Sequence, residues 1–201
     1  MTTTLGLYVF DGVEVLDFAG PFEVFTTASR VHARQHPSAS PLLRVCTIAR
    51  SRSQVTARAG LVVNADATIA EHPPLDVLIV PGGVVTAELD RRDVIAWVAS
   101  QASHVQIVAS VCTGAFLLGR AGLLDNFRAT THWEDLVDLR SMFPRVDVVD
   151  GVRWVDQGRV VTSAGISAGV DMCLHLVERL FGRSLALATA RQLDFDWVEN
   201  T

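Results

Sequence analysis

The segment around Cys112 combines a nucleophile with the small residues that a sharp chain turn requires. It reads Val-Ala-Ser-Val-Cys-Thr-Gly-Ala-Phe over residues 108–116, so an apolar strand precedes the cysteine and a helix follows it. A nucleophile on a strand-to-helix corner needs small residues two positions away on each side, and Ser110 and Gly114 supply them. The N-terminus of the helix stabilises a thiolate. We therefore expect Cys112 to be a nucleophile whose pKa lies below the free value of about 8.5.

A glycine pair ends another apolar strand, in the segment Pro-Gly-Gly at residues 81–83. Glycines let backbone amides approach a small ligand closely. We predict that the amides of Gly82, Gly83 and Thr113 form an anion or oxyanion site beside the sulfur.

Asp17 is an acidic residue in an apolar setting, Leu-Asp-Phe-Ala-Gly-Pro at residues 16–21. A buried carboxyl there would hold a proton for the sulfur or for a substrate. The alternative is that Asp17 caps a helix that begins near Pro21 and runs to about Val31. The residues alone leave both interpretations open.

A second motif competes with Cys112. Residues 165–169 match G-x-S-x-G between a predicted strand and a helix, and Asp171 and His175 would be the nominal partners of Ser167. Both partners follow the serine on the same predicted helix, too close in sequence to fold back onto it. We therefore interpret these small residues as sites of close helix–strand packing.

Composition bounds the function classes. The 201 residues carry a net charge of −5, which argues against nucleic acid or an anionic membrane as the main partner. No apolar run is long enough to span a bilayer, and no signal peptide is evident. Three widely spaced cysteines, of which Cys46 and Cys173 are expected to be packing residues, indicate reduced thiols and a cytoplasmic protein.

Apolar strands alternate with helices along the chain. Strands are predicted at 5–10, 42–49, 76–80 and 105–109, with hairpins at 55–64 and 152–162. Helices are predicted at 21–31, 87–102, 113–121, 134–142, 168–181 and 184–193. The alternation predicts an α/β fold, a mostly parallel central sheet with helices on both faces, in a single domain over residues 1–201.

The chain resembles the ThiJ/PfpI superfamily, which has the class I glutamine-amidotransferase-like fold. The resemblance rests on LDFAGPFEVF (16–25), DVLIVPGG (76–83), ASVCTGAFLLGRAGLLDNFRATTHW (109–133) and VTSAGISAGVDMCLHLVE (161–178). It implies a flavodoxin-like three-layer sandwich with a nucleophile elbow, a homodimer, and no metal or organic cofactor. The chain is most similar to the branch that holds isonitrile hydratases and the ligand-sensing domains of AraC-type regulators. Similarity to the hydratases implies that Cys112 is the nucleophile and that Asp17 and Thr113 are its essential partners.

One departure from the superfamily pattern concerns histidine. Protease-like members carry a histidine directly after the cysteine, whereas this chain has Thr113, which argues against peptidase activity. His132 matches a family histidine near the cysteine, and its role as base, substrate contact or packing residue stays open. The six histidines of the chain show no metal-ligand spacing.

The resemblance implies an isonitrile hydratase-like lyase that converts R–NC to an N-substituted formamide. One alternative is a non-catalytic small-molecule-sensing domain related to AraC-type regulators. Because the sequence ends at Thr201 without a helix-turn-helix module, we expect the stand-alone enzyme. Another alternative is a glyoxalase or stress-response member that acts on an aldehyde such as methylglyoxal through the same cysteine.

Overall fold

The computed structural model describes residues 2–52 and 54–200 and has a seven-stranded sheet at its centre. The strands are β1 (Thr3–Tyr8), β2 (Leu43–Ala49), β3 (Val55–Thr56), β4 (Val62–Val63), β5 (Ala67–Thr68), β6 (Val77–Val80), β7 (Ile107–Val111), β8 (Arg128–Ala129), β9 (Asp147–Val148), β10 (Trp154–Asp156) and β11 (Val160–Ser163). The central sheet has the order β10-β11-β7-β6-β1-β2-β5, and all neighbours are parallel except β10 and β11. The predicted mostly parallel sheet is confirmed.

Helices cover both faces of this sheet. They are α1 (Val15–Gln35), α2 (Thr86–Leu89), α3 (Arg92–Ala102), α4 (Gly114–Arg120), α5 (Leu136–Met142), α6 (Ser167–Phe181) and α7 (Arg183–Leu193). One group, α1, α6 and α7, packs together, and α2, α3 and α4 form a second group. The central strands β6 and β7 are fully buried, as expected for parallel strands covered on both faces. No helix in the described part of the chain is long and apolar enough to cross a membrane.

Several predicted boundaries differ from the structure. Helix α1 begins at Val15, six residues before the predicted start, and contains Pro21. Packing outweighs the missing hydrogen bond of this proline, since Phe18, Val24 and Phe25 of the same helix are buried in the core. The helix predicted at 87–102 is divided into α2 and α3, and the strand predicted at 105–109 begins two residues later.

The short strands β5, β8 and β9 were not predicted, because two residues carry no readable periodicity. Both predicted hairpins are confirmed. Residues Val55 and Val63 pair in the first, and Trp154 and Ser163 pair in the second, each antiparallel.

Candidate active site

Cys112 lies at the corner between β7 and α4 in a strained backbone conformation. Its φ angle is +55°, in the left-handed region that residues with a side chain seldom adopt. The strand ends at Val111, and the helix begins at Gly114. The Cys112 amide donates to the Ser163 carbonyl at 3.2 Å, and the Cys112 carbonyl accepts from Thr131 Oγ1 at 2.8 Å. These two bonds hold the corner against its strain, and the geometry is that of a nucleophile elbow.

The small residue after the cysteine is required by the packing of the corner. A Cβ built on Gly114 would lie 2.1 Å from the Val80 carbonyl oxygen at the end of β6. A Cβ on Gly82 would lie 2.6 Å from both the amide nitrogen and Oγ1 of Thr113 and 2.9 Å from Oδ2 of Asp17. The absence of side chains at these two glycines therefore lets three segments of the backbone converge on the sulfur.

Asp17 lies in the first turn of α1 and is fully buried. Its Oδ2 accepts a hydrogen bond from the Gly82 amide at 3.2 Å, while its Oδ1 is buried without a hydrogen-bond partner among the described residues. The N-cap of α1 is Glu14, so the interpretation of Asp17 as the cap of a helix near Pro21 is wrong. The carboxyl instead faces the Cys112 thiol and the Ile166 amide.

The carboxyl and the thiol perturb each other. Burial raises the pKa of Asp17 to about 7, against its contacts with the Cys112 thiol and the Gly82 amide, which lower it. Burial also raises the pKa of Cys112 to about 12, and the negative charge of Asp17 adds to this, while the Thr113 amide lowers it. The expected thiol pKa below 8.5 is therefore wrong, because burial and the neighbouring carboxylate outweigh the helix N-terminus.

The two groups titrate as a coupled pair. Because both pKa values are raised, the pair keeps its second proton to a higher pH than a free carboxyl does, and its last proton to a higher pH than a free thiol does. A pair with one proton can place it on either atom. The form with a protonated Asp17 and a Cys112 thiolate provides a nucleophile and an acid side by side.

The amides of Gly82 and Gly83 bond to side chains of the site instead of forming the expected anion or oxyanion site. The Gly82 amide donates to Asp17, and the Gly83 amide donates to Thr113 Oγ1 at 2.9 Å. Thr113 Oγ1 in turn donates to the Gly83 carbonyl at 2.9 Å, which closes a two-way link. Because both amides are already used, they position Asp17 and Thr113 and do not form the expected anion site. The Thr113 amide contacts the sulfur itself.

His132 borders the pocket over the sulfur, and its side chain is 18% exposed. Its Nδ1 accepts from the Glu134 amide at 3.4 Å and lies 3.6 Å from carboxylate oxygens of Glu134 and Asp135. No hydrogen bond within the described residues joins His132 to Cys112. The geometry thus favours a role as pocket wall or substrate contact over a role as the base for the thiol.

The pocket that contains the sulfur, called here the thiol pocket, has a volume of about 360 Å³. Cys112 is 8% exposed at its base. An ion pair of Arg58 with Glu14, 3.1 Å apart, lies at its edge. The lining residues are Glu14, Arg58, Gly83, Val84, Cys112, Thr113, His132, Glu134, Asp135 and Ile166. Among the described residues, no group of three or more histidine, cysteine or acidic side chains is arranged to hold a metal ion.

Ile166 is a member of the site that sequence reasoning missed. It precedes α6 with φ 52° and ψ −89°, a rare conformation for a β-branched residue. Its amide contacts Asp17, and its side chain lines the thiol pocket. The signal was present in the G-x-S-x-G match, but that match directs attention to Ser167, one residue past the strained position. Thr131, which holds the Cys112 carbonyl, carried no signal of its own.

The competing serine is not arranged for catalysis. Ser167 accepts a hydrogen bond from Arg153 at 3.5 Å, and Arg153 also pairs with the buried Asp171. His175 bonds to Asp156 at 2.7 Å and is engaged elsewhere on the surface. The remaining cysteines, Cys46 and Cys173, are free, buried and part of the core.

Comparison with known proteins agrees with the fold. The DJ-1/PfpI family model matches residues 4–179. An isonitrile hydratase from Pseudomonas putida is 33% identical over 198 residues, which cover 97% of this chain and 79% of that protein. The HTH-type transcriptional regulator GbdR from Pseudomonas aeruginosa is 32% identical over 197 residues, 98% of this chain and 52% of the regulator. The chain thus spans about half the length of these regulators.

A solved structure of a ThiJ/PfpI family protein from Pseudomonas syringae superimposes with a TM-score of 0.85 at 27% identity, covering 99% of this chain and 77% of that one. An AraC family transcriptional regulator from Pseudomonas putida gives a TM-score of 0.77 at 22% identity, covering 95% and 99%, which shows a shared fold. With a family model that matches most of its length and an elbow cysteine at the end of a central parallel strand, the chain belongs to the DJ-1/PfpI family.

Proposed function

We propose that the protein hydrates isonitriles to N-substituted formamides through Cys112. The observation that carries the proposal is the buried pair of Cys112 and Asp17, in which the carboxyl contacts the thiol. An isonitrile carbon must gain both a nucleophile and a proton at the same atom. A thiol and an acid that share one proton in a buried pair match that requirement.

The addition step uses the single shared proton. Transfer of the proton from sulfur to the Asp17 carboxylate leaves the thiolate of Cys112 free to attack the terminal carbon of R–N≡C. Asp17 then gives its proton to the same carbon, and the product is a thioimidate, R–N=CH–S–Cys112. No proton is gained or lost overall, and the carboxylate is restored.

Hydrolysis completes the cycle. Water adds across the C=N bond of the thioimidate: its oxygen bonds to carbon and one of its protons goes to nitrogen, which gives R–NH–CH(OH)–S–Cys112. Asp17, again a carboxylate, accepts the remaining hydroxyl proton and passes it to sulfur as the C–S bond breaks, which releases R–NH–CHO and restores the thiol. Splitting one difficult addition into two easier steps is the usual gain of covalent catalysis.

The neighbouring residues hold the pair in place in this proposal. Thr113, fixed by the two-way link to Gly83, directs its amide at the sulfur, and Gly82 orients Asp17. His132 lies on the pocket wall, where it contacts the substrate. The proposed site takes a small-molecule substrate and uses no metal or organic cofactor. We also propose that the protein is a cytoplasmic homodimer. A molar mass measured in solution tests the dimer.

A second candidate function is binding without turnover, as in the sensing part of a regulator. It is favoured by the identity to GbdR, 32%, which is almost the same as the 33% to the isonitrile hydratase. Action on methylglyoxal through Cys112 is a third candidate, since a thiol also adds to an aldehyde carbon.

The decisive experiment compares turnover of cyclohexyl isonitrile and of methylglyoxal by the wild type, Cys112→Ala and Ser167→Ala. We expect formamide from the wild type, a loss of about 10³-fold or more in Cys112→Ala, and wild-type rates in Ser167→Ala. The serine variant is the matched control because it alters the other strand-to-helix corner. Turnover of methylglyoxal alone would replace the proposal by the aldehyde function. Saturable binding without turnover of either compound would replace it by sensing.

A further inference from the structure

A second pocket opens directly beside the thiol pocket. It lies between α2 and α5 and has a volume of about 430 Å³. The two pockets share four wall residues, Gly83, Val84, Thr113 and Asp135. A third pocket, of about 310 Å³, lies on the opposite side and shares two residues with the thiol pocket. The thiol pocket therefore shares more of its lining with the pocket between α2 and α5 than with the third pocket. We call this neighbour the substituent groove; its lining is Gly83, Val84, Val85, Thr86, Leu89, Thr113, Phe116, Asp135, Asp138, Ser141 and Met142.

The chemistry of the substituent groove differs from that of the thiol pocket. Val85 and Phe116 are buried and contribute apolar surface, while Met142, 49% exposed, contributes apolar surface that is open to solvent. Asp135 and Asp138 add two carboxyl groups. None of the described residues that line the groove is basic. An uncharged apolar group gains free energy by burial there, whereas a carboxylate meets like charge.

Access to the sulfur limits what can lie over it. Cys112 is 8% exposed at the base of the thiol pocket, and the neighbouring carboxyl is fully buried. A slender linear group such as N≡C reaches the sulfur, but a bulky substituent on the nitrogen must lie outside the thiol pocket. The nearest large space along the shared wall is the substituent groove.

We propose that the substituent groove receives the R group of the isonitrile, that it selects uncharged apolar substituents, and that Met142 is a specificity-determining residue. The inference rests on the proposed hydration of isonitriles and names the substrate class of that site. Met142 is flexible and half-exposed, so it covers apolar groups of different shapes.

The test compares kcat/KM for methyl isonitrile, cyclohexyl isonitrile and isocyanoacetate in the wild type, Met142→Glu and Leu187→Glu. Leu187 is the matched control, since it is also 49% exposed but lies on α7, which packs with α1 and α6 and does not line the groove. In the wild type we expect the order cyclohexyl, methyl, isocyanoacetate. In Met142→Glu the ratio of cyclohexyl to methyl isonitrile should fall about 10-fold or more, and in Leu187→Glu it should stay within about 2-fold of the wild type.

A second readout does not depend on turnover. The rates of Cys112 alkylation by iodoacetamide and by N-cyclohexyl iodoacetamide, followed by mass spectrometry, should show the same change of ratio in Met142→Glu. If no isonitrile is turned over but the alkylation ratio falls as expected, the hydration proposal fails and the groove stands. An unchanged ratio in both assays, or an equal preference for isocyanoacetate, overturns the groove.

Discussion

Within residues 2–52 and 54–200, a residue with a side chain adopts a positive φ at two strand-to-helix corners, and the two corners differ in the groups that they present. The corner between β7 and α4 carries Cys112 at φ 55°, and the corner between β11 and α6 carries Ile166 at φ 52°. Both strained residues contact Asp17, one through its thiol and the other through its amide. The first corner presents the thiol, and the second helps to hold the carboxyl beside it.

The comparison teaches that a strained corner and a motif match do not by themselves define a catalytic site. In G-x-S-x-G the strained position is Ile166, and Ser167 already belongs to the helix. At the Cys112 corner the strained residue is the proposed nucleophile, and a buried acid faces it. The Cys112 corner differs from the Ile166 corner because its strained residue has a side chain that contacts a titratable carboxyl.

The largest expected effect comes from Asp17→Asn, which keeps the shape of the side chain but removes its acidity. Isonitrile turnover should fall by about 10²–10⁴-fold, the usual worth of proton transfer by a positioned group. Steady-state formamide release measures the loss. Activity close to that of the wild type would show that Asp17 takes no part in the mechanism. The buried acid would then no longer distinguish the Cys112 corner from the Ile166 corner.

The same substitution should change two pH profiles. Because the reactive pair holds one proton, wild-type kcat/KM should rise with pH through the Asp17 pKa of about 7, and the rise should vanish in the variant. The folded protein binds more protons at Asp17 than the unfolded chain between pH values of about 4 and 7. The free energy of unfolding of the wild type should therefore decrease relative to Asp17→Asn as the pH rises through that window. Denaturant titrations at several pH values measure it, and a difference that does not vary with pH would contradict the buried, protonated carboxyl.

A smaller effect is expected from Gly114→Ala, which tests how tightly the first corner is packed. Its new Cβ would meet the Val80 carbonyl, so the free energy of unfolding should fall by about 2 kcal/mol or more. The corresponding position at the second corner is already an alanine, Ala168. Gly20→Ala is the control, because its Cβ would meet a side-chain methyl of Val170 at 3.1 Å. Equal urea midpoints for the two variants would show that the first corner accommodates a Cβ at position 114 without a steric clash.

The smallest effect concerns the backbone strain at Ile166. Alanine and glycine both remove the side chain, but glycine alone adopts a positive φ without a steric penalty. Ile166→Gly should therefore be more stable than Ile166→Ala by about 1 kcal/mol. Thermal melts of the two variants provide the measurement. The reverse order of stability would mean that this corner, unlike that of Cys112, is not strained in solution.

The sequence predicted the parts of the site that depend on local chain geometry. The apolar strand, the small residues around Cys112 and the helix after it predicted the elbow, and the structure confirms the strained corner. The apolar setting of Asp17 also predicted a buried carboxyl that serves the sulfur, and in the structure this carboxyl is buried and contacts the thiol.

Other properties of the site could not be read from local patterns. The raised thiol pKa depends on burial and on the charge of Asp17, which outweigh the helix N-terminus that the sequence displays. The start of α1 at Val15 depends on core packing around a proline that normally marks a first turn. Ile166 was not predicted as a site residue because its positive φ arises from tertiary contacts, and β-branched residues rarely adopt a positive φ.

The link between Thr113 and Gly83 joins two chain segments thirty residues apart, and Asp17 adds a third through the Gly82 amide, sixty-five residues away. The geometry around the sulfur is therefore a product of long-range topology and has no counterpart in any short fragment. Loss of the central sheet separates thiol and acid at once, so catalytic inactivation should coincide with cooperative unfolding of the sheet. The contact between the Cys112 thiol and the Asp17 carboxyl therefore exists only while the distant strands are assembled, so isonitrile turnover would also measure the folded fraction of the sheet.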